Sequence, residues 1–212
     1  MSVTKKGTLQ VPGSNLYYEV RGTGPVLLMI HGGGGEADKF LHVANHLADR
    51  YTVVTYDRRG HSRSNLTNPT VETHSDDAHR LLAKLTDEPA CVFGSSSGAC
   101  IGLDLSIRHP EQVRVLIPHE PIFSDEQVQA RQSLKDLQEN ILREGVLSAF
   151  MKFSSNLSMN SGNQSDQSND ERMERIVVNL TYFITYEIPG IRSHTWDPDT
   201  LSPPQSHSIF SN

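Results

Sequence analysis

The sequence predicts an α/β fold: a mainly parallel, doubly wound sheet with helices on both faces. Three observations predict it. Apolar, β-rich runs recur along the first 118 residues, segments of helical period separate them, and the connecting loops are short. Strands and helices that alternate across short loops imply right-handed crossovers between parallel strands.

Taken in order, Leu9 to Val11 and Leu16 to Arg21 flank Pro12-Gly13-Ser14-Asn15, the composition of a hairpin turn. Pro25 to Ile30 is continuously apolar, as a strand covered on both faces must be, and it runs into His31-Gly32-Gly33-Gly34-Gly35. Phe40, Leu41, Val43, Ala44 and Leu47 recur at helical spacing, and Tyr51 to Tyr56 is the next strand, ending at Asp57-Arg58-Arg59-Gly60. A helix over Val71 to Leu85 precedes the strand Ala90 to Phe93. A further helix follows Gly94, reaches His109 and is stopped by Pro110; Val113 to Pro118 is one more strand.

Past Pro121 the pattern changes. Ser124 and Gln127 form a capping box, after which Val128, Leu134, Leu137, Ile141 and Leu142 keep a loose helical period. Gly145 interrupts it, and the helix resumes over Val146 to Phe153. Ser154 to Asp170 holds almost nothing apolar, cannot offset its own ordering entropy, and is expected to be a mobile loop. A second helix is expected over Glu171 to Tyr186, ending at Ile188-Pro189-Gly190. The stretch from Ser202 to Asn212 reads as a tail.

A chain of 212 residues can bury one good-sized core. The balance of 25 acidic against 19 basic residues gives a net charge of -6, with the basic residues scattered singly. That excludes nucleic acid and an anionic membrane surface as partners, since both need clustered positive charge. The N-terminus lacks the apolar run of a signal peptide and no stretch reaches membrane-spanning length. With two cysteines, Cys91 and Cys100, in no C-x-x-C spacing, a cytoplasmic location and structural thiols are expected.

The chemistry is concentrated in Gly94-Ser95-Ser96-Ser97-Gly98, a G-x-S-x-G between an apolar strand and a helix. A nucleophile elbow needs that context: the turn must lift the Ser96 hydroxyl clear of the sheet, at a helix N-terminus that favours negative charge. Acyl transfer also needs two backbone N–H groups aimed at the developing oxyanion. The amide of Ser97 is one candidate; the other is Gly33 in the glycine run, with Gly34 as alternative. Read as a phosphate cradle, the same run lacks the G-x-G-x-x-G spacing and the Lys-Ser/Thr of a P-loop.

These pieces resemble the α/β-hydrolase superfamily, in its soluble branch with a short helical cap. The resemblance rests on His31-Gly32-Gly33-Gly34 after a strand, Tyr56-Asp57-Arg58-Arg59-Gly60-His61-Ser62-Arg63-Ser64, the elbow at Ser96, and His119-Glu120-Pro121 closing the next strand. It is firm over residues 8–121 and weaker beyond, and Ser62 stands where the family often has glycine. It implies a core over 1–120, a cap over 121–195 with its loop at 154–170, and a truncated tail over 196–212 that lacks the last strands of the sheet.

It also implies a triad in the order nucleophile, acid, histidine. Glu120, at the end of the strand before the cap, occupies the place some relatives use for the acid. The usual histidine would follow the last strand, and no strand is legible after Leu201. His119 and His31, at strand ends, are the nearest substitutes; His31 is better explained as fixing the oxyanion loop and His119 as packing under the cap. His42, His46, His74, His79 and His109 are expected on helix surfaces. No histidine cluster has metal-ligand spacing, so neither metal nor cofactor is expected.

The function expected is hydrolysis of an ester or related acyl bond of a small-molecule substrate, impaired by the missing histidine. The alternative is a non-catalytic binding protein or a truncated gene product. Missing strands would leave Val113, Val115, Leu116 and Ile117 on an open sheet edge, and self-association through it is expected.

Overall fold

The computed structural model describes residues 3–65, 69–121, 136–137, 139–146, 148–149, 152 and 169–195. Six strands, β1 (Lys5–Val11), β2 (Ser14–Arg21), β3 (Val26–Ile30), β4 (Thr52–Tyr56), β5 (Ala90–Ser95) and β6 (Val113–His119), form one sheet in the order β1-β2-β4-β3-β5-β6. The β1–β2 hairpin is antiparallel, as is β2 against β4. From β4 through β3 and β5 to β6 every pairing is parallel.

Alternation along β3 explains why its whole run is apolar. Val26, Leu28 and Ile30 join Val54 and Val92 beneath α2 (Val71–Leu85) and α3 (Ser97–Arg108). Leu27 and Met29 face the other way, with Val53, onto Ala44 of α1 (Leu41–Leu47). Helices therefore lie on both faces. Burying such side chains contributes roughly 1.5–3 kcal/mol each, which fixes the sheet as the rigid platform for its loops. Thr70 caps α2 by accepting the Thr73 N–H.

The second helix of the C-terminal half differs from expectation. α4 (Asn169–Tyr182) passes through a π-helical turn at Phe183–Glu187 directly into α5 (Ile188–Ser193), so Pro189 lies inside the helical run. The π turn resets the hydrogen-bond pattern. Pro189 then falls in the first turn of a new α segment, where a missing N–H costs little. Described residues of the preceding segment are helical on both sides of Gly145, which adopts φ +87° and donates its N–H to Ile141 O as a left-handed cap. Leu137 and Ala149 pack there with Ile184 and Ile188. Most of the loop expected at 154–170, the Ser124 capping box and the tail lie outside the described residues.

β6 is the last strand of the sheet among the described residues. Its exposure is narrower than the sequence suggested: an irregularity in the pairing at Ala90/Cys91 lets Val113 and Leu116, three residues apart, both pack against the core, whereas Val115 and Ile117 are 48% and 52% exposed. Among the described residues no helix is long and apolar enough to cross a membrane.

Candidate active site

Parallel strands deliver their carboxyl ends to one rim of the sheet, where an open α/β fold binds ligands. β3 brings the glycine run, β4 the 57–64 loop, β5 the Ser96 turn and β6 His119 and Glu120. Ser96 sits between β5 and α3 at φ 55°, ψ -120°, a conformation L-residues rarely adopt. Glycine on either side makes this possible: a Cβ at Gly94 would stand 2.3 Å from Gly98 O, and one at Gly98 would stand 2.3 Å from Ile30 O. The turn is held from outside by the Ser96 N–H, which donates to His119 O at 2.8 Å.

The glycine run lies directly against this turn. A Cβ on Gly32 would come within 2.9 Å of Ser95 O and 3.1 Å of Ser96 Cβ, and one on Gly33 would enter the Phe183 ring at 2.5 Å. Gly35 N–H folds the run back onto Gly32 O at 3.2 Å. Among the described residues, the amide N–H groups of Gly33 and Ser97 enter no hydrogen bond. Two unspent backbone donors thus flank the Ser96 turn.

The 57–64 loop is fixed by its own charges. Asp57, fully buried, accepts from Ala37 N (2.7 Å), Arg63 N (3.0 Å) and the Arg63 guanidinium (2.6 and 2.9 Å). Arg59 forks onto Asp77 with two contacts of 2.7 Å. Ser62 takes φ 45°, a conformation that favours glycine; its N–H donates to Asn179 Oδ1 at 2.7 Å and its hydroxyl donates to Glu36 at 2.8 Å. Asn179 also donates to Gly35 O, and Arg175 pairs with Glu36. α4 is thereby tied to both loops.

Beneath them lies a buried polar cluster. Arg58, with no exposed surface, forks onto Glu187 of the π turn through Nη1–Oε1 (2.7 Å) and Nη2–Oε2 (3.1 Å). His74 Nε2 stands 3.0 Å and His61 Nδ1 3.8 Å from the same Oε1. Burial alone would raise the Glu187 pKa, but the Arg58 charge and the two histidines hold it well below the usual carboxylate range. Burial, with Arg58 alongside, pushes His31 far down. Burial pushes His61 down to about 3, and lowers His74 as well. His31 is therefore neutral, with its proton on Nδ1: Nε2 accepts the Arg58 N–H at 3.2 Å, and Nδ1 donates to Gly32 O at 2.8 Å.

Comparison with known proteins fits this geometry. A family model described as the alpha/beta hydrolase fold matches residues 25–182, which spans the glycine run, the Ser96 turn and α4. The chain belongs to the α/β hydrolase family. This hydrolase is 58% identical over 204 residues to the uncharacterized hydrolase YraK of Bacillus subtilis, covering 92% of the present chain and 72% of that protein. It is 34% identical over 134 residues to the pimeloyl-[acyl-carrier protein] methyl ester esterase of Chromobacterium violaceum, 60% of this chain and 51% of that one. Among solved structures, a hydrolase from Pseudomonas aeruginosa PA01 superposes with a TM-score of 0.69 at 19% identity, covering 89% of this chain and 72% of the other.

The hydrolase's histidines distribute differently from expectation in two cases. His74 is buried against Glu187 rather than on a surface, because α2 turns that side toward the cluster. His119 is exposed at the end of β6 and packs under no helix among the described residues; its ring lies 6.2 Å from that of Phe93. His31 fixes the glycine run, as expected. Glu120 is exposed at φ 50° and enters no hydrogen bond or ion pair among the described residues.

The structure also brings His79 to His109 and Glu111, with their ligand atoms within 4.8 Å of one another. The two imidazoles stack at 3.8 Å with 13° between planes. Imidazoles bound to one ion at about 2.1 Å and tetrahedral angles hold their ring centres roughly 5 Å apart. The geometry is that of a stacked pair. Arg58, Glu187, His74 and Asn179 escaped the sequence reading; Glu187 meets Arg58 across 129 residues, a pairing no local pattern encodes.

Proposed function

We propose that this chain is a serine hydrolase that cleaves an ester or related acyl bond of a small, partly apolar molecule. Ser96 is the nucleophile and the amides of Gly33 and Ser97 form the oxyanion hole. The observation that carries this reading is the Ser96 turn, flanked by two backbone N–H groups without partners among the described residues. Ser96 Oγ attacks the acyl carbon while the two amides stabilise the charge that develops on its oxygen, a contribution of about 3–4 kcal/mol per donor. The substrate lies between the sheet rim of the core (1–120) and the cap (121–195), with Phe183 over Gly33.

Attack needs a base within about 3 Å of Oγ. His31, His61 and His74 are committed to the buried cluster, His79 and His109 to their stack, and His194 to Glu72 at 2.8 Å. His119, tied to Ser96 through its carbonyl, is the described histidine best placed, and Glu120 beside it is the acid candidate. A second reading, a non-catalytic binding protein on the same scaffold, draws on one observation: among the described residues no histidine ring hydrogen-bonds the Ser96 hydroxyl.

Fluorophosphonate labelling followed by intact-protein mass spectrometry separates the two. The hydrolase reading expects slow, single-site labelling that Ser96→Ala abolishes and His119→Ala slows further. Complete inertness of Ser96 between pH 7 and 9 would favour the binding protein.

A further inference from the structure

The Arg58–Glu187 pair does more than join a helix to a loop. Three donors converge on one carbonyl, Gly32 O: His31 Nδ1 at 2.8 Å, Gly35 N at 3.2 Å and Arg58 Nη2 at 3.2 Å. In a trans peptide the C=O and the following N–H point in opposite directions. Whatever holds Gly32 O therefore also aims the N–H of Gly33. A glycine run has the widest choice of peptide orientations of any sequence, so this aim has to be imposed from outside the run.

Arg58 imposes it from a fixed position. Its Nη2 reaches Gly32 O, the carbonyl of the peptide that carries the Gly33 amide, and also Ser97 Oγ at 3.3 Å, the side chain of the residue that carries the other flanking amide. The guanidinium is itself oriented by the two-point fork onto Glu187, whose carboxylate is carried by the π turn above. We infer that Glu187 and Arg58 are positioning residues for the oxyanion hole: the helix-borne carboxylate orients the guanidinium, which locks the Gly32–Gly33 peptide with its N–H toward the nucleophile. The inference rests on the assignment of Ser96, Gly33 and Ser97 given above. It makes seating of α4 and its π turn a condition for an organised hole.

Residues 32–35 are the sole run of adjacent glycines in the chain. The full chain labelled with 13C,15N-glycine therefore gives three HNCO cross-peaks, from the amides of Gly33, Gly34 and Gly35. Two variants remove the clamp without abandoning a buried charge. Arg58→Lys keeps the charge opposite Glu187 but has no fork to reach Gly32 O as well. Arg58→Met with Glu187→Leu replaces the pair by apolar groups, an exchange often tolerated.

In both variants the Gly33 cross-peak is expected to broaden or divide as the peptide samples a second orientation. Ser96-dependent p-nitrophenyl acetate hydrolysis, measured against Ser96→Ala, is expected to lose about ten- to a hundredfold in kcat. That is less than the roughly 100- to 1,000-fold cost of deleting a donor outright, and KM should stay within about threefold. An unchanged Gly33 peak in both variants overturns the inference, as does a loss confined to KM. If the Gly33 peak responds but the parent chain shows no Ser96-dependent turnover, the catalytic assignment falls while the clamp stands.

Discussion

Two regions of this molecule reverse the ordinary division of side chains. Under the glycine run, charged and titratable groups lie inside: Arg58, Glu187, His61 and His74 are all buried. At β6, the last strand of the sheet among the described residues, the reverse holds, with Val115 and Ile117 facing outward. The first region is matched charge to charge, guanidinium to carboxylate, with His31 held by an amide and a carbonyl, while His61 Nε2 lies buried without a hydrogen-bond partner. The second is matched on one face alone. Buried polarity is tolerable where partners are complete and directional, and it then holds groups in fixed geometry. An exposed apolar edge has no direction and accepts any complementary strand.

The largest effect should come from breaking the match inside. Glu187→Ala leaves the Arg58 guanidinium buried without its carboxylate, which is expected to cost about 3–5 kcal/mol in urea denaturation, whereas the Arg58→Met, Glu187→Leu pair stays within about 2 kcal/mol of the parent. Equal losses in the two would mean that packing, not charge matching, dominates there.

Acid should expose the same contrast. The unfolded chain takes up protons on its histidines near pH 6.5, while in the native state burial holds His31, His61 and His74 neutral to lower pH, His61 to about 3. Between those values the unfolded state binds more protons, so stability is full above about pH 6.5 and falls with pH below it. Glu187, depressed in its native pKa, adds a further loss below about pH 4.3. Thermal melts from pH 7.5 to 4 should show Tm dropping continuously, and His61→Phe should flatten the slope. An unaltered slope would remove His61 from this account.

The smallest change in stability belongs to the edge. Val115→Lys with Ile117→Lys should alter it by less than about 1 kcal/mol, since both positions are exposed. The expected readout is a lower apparent mass than the parent in size-exclusion chromatography with light scattering, which is what self-association of the parent through this face would give. A parent that is monomeric at every concentration tested would show that exposure alone does not make β6 adhesive.

Much of the fold was legible because it is written in local pattern. Continuous apolar runs marked β3 and β5, helical period marked α2 and α3, and the G-x-S-x-G pair of glycines marked Ser96 through a steric demand that the structure displays at Gly94 and Gly98. The helical run through Pro189 was not legible, since a proline ordinarily ends a helix and nothing local announces a π turn. The cluster was hidden for another reason. A histidine on an amphipathic helix such as α2 looks the same whether it meets water or a carboxylate arriving from more than a hundred residues away, and His74 meets the carboxylate.

The hydrogen bond from the Ser96 amide to the His119 carbonyl gives the marginal strand an alignment task. β6 is paired with β5 through Ser95↔His119, so the Ser96 backbone is referenced to the strand that borders the sheet among the described residues and not to its rigid middle. A slip of β6 by one residue, about 3.3 Å, would present a different carbonyl to Ser96 and turn every β6 side chain to the opposite face. Through that one hydrogen bond, mechanical strain on β6 reaches the Ser96 turn in a single step.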